Sequence, residues 1–255
     1  NETVSNMAVA ELSCPSGYYC SGGAKEECTT LGTYCPKQST KPVACPAGSY
    51  CRTPAEMIDC DAGQHCEESG TEEPRLCSAG HYCATPASEE ECNSGTFCAE
   101  GSVLPTGVRV GHYSVDASGN PTLSMAVAEL PCPAGFFCVG GDKTECETSG
   151  AHCPELSTEE AGCPAGSLCP TPAEIEDCSN GEYCPESVTA GRTCRAGHYC
   201  ATPASEEECN SGTFCAEGSV LPTGVRVGHY SVDASGNPTL SMAVAELPCP
   251  AGFFC

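Results

Sequence analysis

The stretch "CSAGHYCATPASEEECNSGTFC", residues 77–98, decides the fold. Its four cysteines, Cys77, Cys83, Cys92 and Cys98, are spaced C-x5-C-x8-C-x5-C. "CPAGSYC" at 45–51 opens a second group with that spacing: Cys45, Cys51, Cys60 and Cys66. "CPSGYYC" at 14–20 opens a near-copy, C-x5-C-x7-C-x6-C, at Cys14, Cys20, Cys28 and Cys35. Three further groups follow: Cys132, Cys138, Cys146, Cys153; Cys163, Cys169, Cys178, Cys184; and Cys194, Cys200, Cys209, Cys215. The chain closes on "CPAGFFC", which carries Cys249 and Cys255.

A longer period encloses these groups. Residues 196–255 repeat residues 79–138 without a change, displaced by 117. "MAVAELSCPSGYYC" at 7–20 matches "MAVAELPCPAGFFC" at 125–138, displaced by 118. Fixed-period repetition is the signature of an array or solenoid. The resulting division is the end of a spacer (1–13), three modules (14–35, 45–66, 77–98) and a cysteine-free spacer (99–131). It continues with three more modules (132–153, 163–184, 194–215), a second spacer (216–248) and the start of a module (249–255). In the spacer, "VRVGHYS" at 108–114 matches "CSAGHYC", with Val108 and Ser114 in the cysteine positions. Loss of a whole group of four is expected there, because half a group would strand thiols.

With 26 Cys in 255 residues, the chain reads as a disulfide scaffold of an oxidising compartment. Tryptophan is absent and aromatics are 6%, so no single large core is expected. Four cysteines allow three connectivities. First-to-third with second-to-fourth is the preferred one, and sequence leaves the others open. On that pairing Cys249 and Cys255 would seek partners further on, and the chain would be a window cut from a longer repeat; a Cys249–Cys255 bridge is the alternative. The expected fold class is small disulfide-rich repeats in an irregular, β-poor tandem array, a rod or solenoid, with β-hairpin spacers. "VRVGHYSV", the "DASGN" turn and "TLSMAVAEL" predict a hairpin over 106–130 and its copy over 223–247, with a helical return as the alternative. "TPAEMIDC" and "TPASEEEC" predict one helical turn each, since Thr-Pro suits a helix start. The aromatic before the second cysteine (Tyr50, Tyr82, Phe137, Tyr199) is each module's expected apolar contact.

The net charge of −24 excludes a general nucleic-acid binder and disfavours anionic lipid. No apolar run is long enough to span a bilayer. The shortest cysteine gap, C-x5-C, argues against zinc ribbons and redox C-x-x-C sites. His81, His112, His198 and His229 all lie in "GHY" and recur with the repeat, so no catalytic set is expected and no enzyme. The "EEE" runs at 89–91 and 206–208 read as solvated surface, with weak Ca²⁺ binding the remaining cofactor expectation. Glycans are expected partners: Asn1 opens an N-glycosylation acceptor, and Thr53, Thr85, Thr171 and Thr202 each precede Pro-Ala, a context for O-glycans or for ordinary turns.

"CPAGFFCVGGDKTEC", "CPAGSYC" and "CSAGHYC" resemble the ephrin-receptor-like cysteine-rich repeats, related to those of tumour-necrosis-factor-receptor ectodomains. The resemblance covers the six cysteine modules and implies a rod-like extracellular chain with bridges inside modules. Long arrays of this kind occur in large surface proteins of algae and other protists, flagellar hairs among them. It implies no catalytic residues. The 117-residue period and the unchanged duplication depart from a receptor ectodomain. They favour a structural chain that self-associates into an extracellular filament or surface fibre. The candidate contacts between units or chains are "VRVGHYSV" and the return from Met125 to Leu130. The alternative is an adhesive or receptor-like binding ectodomain.

Overall fold

The computed structural model describes residues 11–66 and 69–255. Among them no helix forms. Short strands pair instead into two-stranded antiparallel hairpins. Outgoing strands begin at residues 18, 33, 49, 64, 81, 96 and 112, and again at 136, 151, 167, 182, 198, 213 and 229. The physical unit is therefore a hairpin of about half a four-cysteine block, and each 117-residue period holds seven.

The motif explains the start of each hairpin. In "CPAGFF" the Phe136 N–H donates to the Pro133 carbonyl, and Gly135 takes φ +87°. A positive φ at the third position is the type II requirement that glycine meets without strain. The chain then runs out as a strand and returns. Tyr18–Ser21 pairs with Ala24–Glu27 across Gly22-Gly23, both at positive φ, the two-residue turn that matches strand twist. Ser49–Thr53 pairs with Glu56–Asp59, and His81–Tyr82 with Glu90–Glu91.

The described residues fall into two compact units, one within 1–109, 114–130 and 140–142, the other within 110–113, 131–139 and 143–255. The hairpins just named lie in the first. The second repeats the pattern, for example Ser167–Leu168 with Glu176–Asp177 and His198–Tyr199 with Glu207–Glu208.

The disulfides correct the expected connectivity. All 26 cysteines pair with their sequence neighbours: 14–20, 28–35, 45–51, 60–66, 77–83, 92–98, 132–138, 146–153, 163–169, 178–184, 194–200, 209–215 and 249–255. The reason is geometric. A turn with glycine at its third position, preceded by proline in only some copies, folds each C-x5-C or C-x6-C segment back on itself, leaving the two Cα atoms within bridging reach, 5.9 Å for Cys77–Cys83. Each bridge ties the end of one hairpin to the outgoing strand of the next. Cys249 and Cys255 pair with each other, so the expectation of partners further on fails. The spacer is likewise not a lost group of four. It is a single unbridged joint, Val108 to Ser114, followed by one long hairpin.

Stacking is two hairpins apart. A Cβ added at Gly17 would meet Ala55, at Gly48 Ala87, and at Gly80 the Met125 carbonyl; in the second unit Gly135 meets Ala173, Gly166 meets Ala204 and Gly197 meets the Met242 carbonyl. Hydrogen bonds link adjacent hairpins. Cys35 N–H donates to Pro54 O and Cys66 N–H to Pro86 O; in the second unit Cys153 N–H donates to Pro172 O and Cys184 N–H to Pro203 O. Buried cystines fill the interior, joined mainly by Tyr113, Val115, Ala126, Ala151, Val232 and Ala243. The expected aromatic contacts are only half-buried, and Tyr82 and Tyr199 donate their hydroxyls to Glu90 and Glu207 across the hairpin at 2.6 Å.

The helical turns do not form. After Thr85-Pro86 the Ser88 N–H returns to Thr85 O in one β-turn, and the chain then runs extended as Glu90–Glu91. Cys66 holds the Pro86 carbonyl, which a helix would need for itself. The spacer is the expected hairpin, displaced a few residues: His229–Val232 pairs with Ala245–Pro248, so the return is a strand. Its "DASGN" tip turns as predicted, with Asp233 accepting from the N–H groups of Ser235 and Asn237.

Candidate functional site

Three sets of residues compete as the functional site: the Thr-Pro-Ala tips, the acidic runs and the spacers. The tips occupy one position in four hairpins. Thr53, Thr85, Thr171 and Thr202 are all exposed. The following proline carbonyl points inward to a cysteine N–H, and the following alanine packs on a glycine two hairpins back. Thr85 and Thr202 hydroxyls lie 2.9 and 3.2 Å from Ser88 and Ser205, and Thr171 donates to Glu174 at 3.1 Å. Turn chemistry therefore explains Pro-Ala, while the threonine hydroxyl faces solvent. Asn1 lies outside the described residues.

The first two glutamates of each acidic run are claimed by protein donors. Glu89 accepts from Arg75 at 2.8 Å and from the Ser78 N–H at 2.6 Å. The Arg75 guanidinium is the main cause that holds its carboxyl down at about 2. Glu206 accepts from Arg192 and Arg195 and is likewise held below the usual carboxylate range, chiefly by Arg192. Glu90 and Glu207 take the tyrosine hydroxyls described above. Cys77, Cys83 and Glu89 converge, as do Cys194, Cys200 and Glu206, but these sulfurs are in disulfides and offer no thiolate to a metal. No built calcium site results from these groups. His81, His112, His198 and His229 open separate strands, and the Nδ1 atoms of His112 and His229 lie 3.1 and 3.4 Å from their own chain carbonyls, so the geometry assembles no set among them.

The spacer shows what replaces a disulfide. Ser114 is fully buried; its N–H donates to Gly141 O at 2.9 Å and its hydroxyl to Thr122 O. Ser231 makes the same hydroxyl bond to Thr239 O. A Cβ on Gly141 would lie 2.9 Å from the Ser114 hydroxyl, so only glycine fits. Lys143 sits over the rings of Phe136 and Tyr113, 4.3 and 5.0 Å from their centroids. The Gly-Gly-x-Lys turn occurs at 22–25 and 140–143, directly after spacer sequence, whereas the other hairpins of this type carry Thr-Pro-Ala. Arg226 donates its backbone N–H to Glu246 at 2.8 Å and pairs with it through its side chain, closing the base of the second spacer hairpin.

One recurring feature went unread in the sequence. Gln38, Met125, Leu156, Ser187 and Met242 hold positive φ, as do Gly70, Gly101 and Gly218. Each donates its N–H to the first cysteine of an earlier bridge, Gln38 to Cys14 O and Leu156 to Cys132 O for example. Alignment of the residues after each second cysteine, "CPKQ", "CAEG" and "CPEL", carries the signal, since glycine alternates with other residues at one site.

No known protein family matches the chain, and no curated protein does.

Proposed function

We propose that this chain is an extracellular structural repeat protein that self-associates into a disulfide-stabilised filament or surface fibre. The observation that carries the reading is unchanged repetition on a fixed stacking rule. Sixty residues recur without a substitution, and turn glycines at matching places in both periods, Gly17, Gly48 and Gly80 and then Gly135, Gly166 and Gly197, meet the hairpin two further on. Identical units present identical contacts, and a repeated head-to-tail contact builds an open fibre. Thirteen disulfides at the hairpin joints suit an oxidising, extracellular setting, and among the described residues no helix is long and apolar enough to cross a membrane. The exposed hydroxyls of Thr53, Thr85, Thr171 and Thr202 support O-glycans that keep the surface hydrated. The resemblance to ephrin-receptor-like arrays supports a cell-surface or flagellar-hair setting in an alga or protist. The reading assigns the chain no catalysis.

Electron microscopy of the native, unreduced material tests this. Uniform fibres with an axial repeat that accommodates one or two 117-residue periods are expected. Dispersed single chains at high concentration would refute it, and intact-mass analysis of the same material reads the sugar on the threonines.

A further inference from the structure

We infer that the two unbridged spacer hairpins are the yielding elements of the chain: under tension each opens in one long step, while the bridged hairpins around it extend only briefly. The positions of the bridges carry this. A disulfide short-circuits its loop, so only the residues between bridges pay out. The runs between neighbouring bridges are short; the longest is Cys66 to Cys77 (77 − 66 = 11 residues). Across the spacers the run is Cys98 to Cys132 (132 − 98 = 34) and Cys215 to Cys249 (249 − 215 = 34). At roughly 3.4 Å per residue the spacer run is about 115 Å long when fully extended, an upper limit on what it releases, against about 37 Å for the longest bridged run.

What closes the 34-residue run is non-covalent and local: it includes the return strand Thr223–Gly224, paired with Thr213–Phe214, together with the spacer hairpin itself. Ser231 bonds Thr239 O, Asp233 caps the tip, Val232 and Ala243 are 3% and 1% exposed, and Arg226 pairs with Glu246. Opening therefore breaks no covalent bond, and closing needs no thiol chemistry. One such element per 117-residue period makes extension proportional to the number of periods. The inference rests on the bridge pattern and is independent of fibre formation.

Force spectroscopy on the oxidised 255-residue chain tests it. Two equal contour steps approaching 115 Å are expected, and they return on every relax-and-stretch cycle. The pair Val108→Cys with Ser114→Cys places a bridge at the unbridged joint. Its formation, confirmed by thiol labelling, removes one long step and leaves runs of 10 and 18 residues (108 − 98 and 132 − 114), the longer about 61 Å. Absence of any step longer than the bridged runs allow overturns the inference whether or not that variant folds. So does persistence of both long steps once the added bridge is confirmed.

Discussion

Replacing Gly80 and its copy Gly197 by alanine isolates the stacking contact, because a matched control exists. Gly80 and Gly119 hold nearly the same backbone angle, φ +84° and +83°, and so do their copies Gly197 and Gly236 at +83° and +81°. They differ in what a Cβ would meet. At Gly80 and Gly197 it would lie 2.5 Å from the carbonyls of Met125 and Met242; at Gly119 and Gly236 nothing lies within 4 Å. The control pays only for a side chain in the left-handed region, about 1 kcal/mol per site. At Gly80 the facing backbone must also withdraw by roughly an ångström to reach ordinary contact. That loosens Met125 N–H to Cys92 O and Cys98 N–H to Ala126 O, 2.9 and 2.8 Å long. At about 1 kcal/mol net each, the total is about 3 kcal/mol, or about 2 more than the control. Hydrogen exchange on the oxidised chain reads this directly, with both copies substituted so that identical peptides report one value. Protection at Met125, Met242, Cys98 and Cys215 amides should fall about 30-fold further in Gly80→Ala/Gly197→Ala than in Gly119→Ala/Gly236→Ala. Equal losses in the two variants would refute two-hairpin stacking through these glycines.

Three further outcomes follow from the same structure. Leu156→Gly removes a side chain from a positive-φ position and should raise the stability of the second unit by about 1 kcal/mol in urea titration, without altering the disulfides. Glu89 has a folded pKa depressed to about 2, so its contribution is fully present above the unfolded carboxylate value near 4.5 and is lost as pH falls toward 2. Glu89→Gln should flatten the acid limb of stability over that window, measured by denaturation midpoints at stepped pH. Because cystines fill the interior, full reduction should abolish the strand signal in circular dichroism, whereas a protein with an apolar core would keep part of it.

Much of the architecture is visible in the residues. The "CPAGFFC" motif announces the turn, the 117-residue duplication announces the array, and "VRVGHYSV" followed by "DASGN" announces the spacer hairpin. Connectivity was not visible. The eye finds the four-cysteine block because hairpins alternate between two kinds, such as "CSAGHYCATPASEEE" and "CNSGTFCAEGSVLPTG", and like follows like only at the second hairpin. The half-length unit, and with it neighbour pairing, hides behind that alternation. The helical turn at Thr-Pro failed for a different reason. Thr-Pro begins a helix and a β-turn equally well, and the choice falls to Cys35, Cys66, Cys153 and Cys184, whose amides claim the proline carbonyls from another hairpin. Ser114 stood out in a cysteine position, yet its buried hydroxyl bond to Thr122, like that of Ser231 to Thr239, depends on how a long loop folds back.

The central claim is that neighbouring cysteines staple each hairpin joint, and tryptic mapping without reduction tests it most directly. Trypsin cuts after Lys25, Lys37, Arg52 and Arg75, each of which lies between neighbouring bridges. Peptides 26–37, 38–52 and 53–75 should then be released separately, each as a single chain with its own internal disulfide: Cys28–Cys35, Cys45–Cys51 and Cys60–Cys66. Recovery of 26–37 still joined to the peptide that carries Cys14 and Cys20 would contradict the account and restore the first-to-third, second-to-fourth pairing.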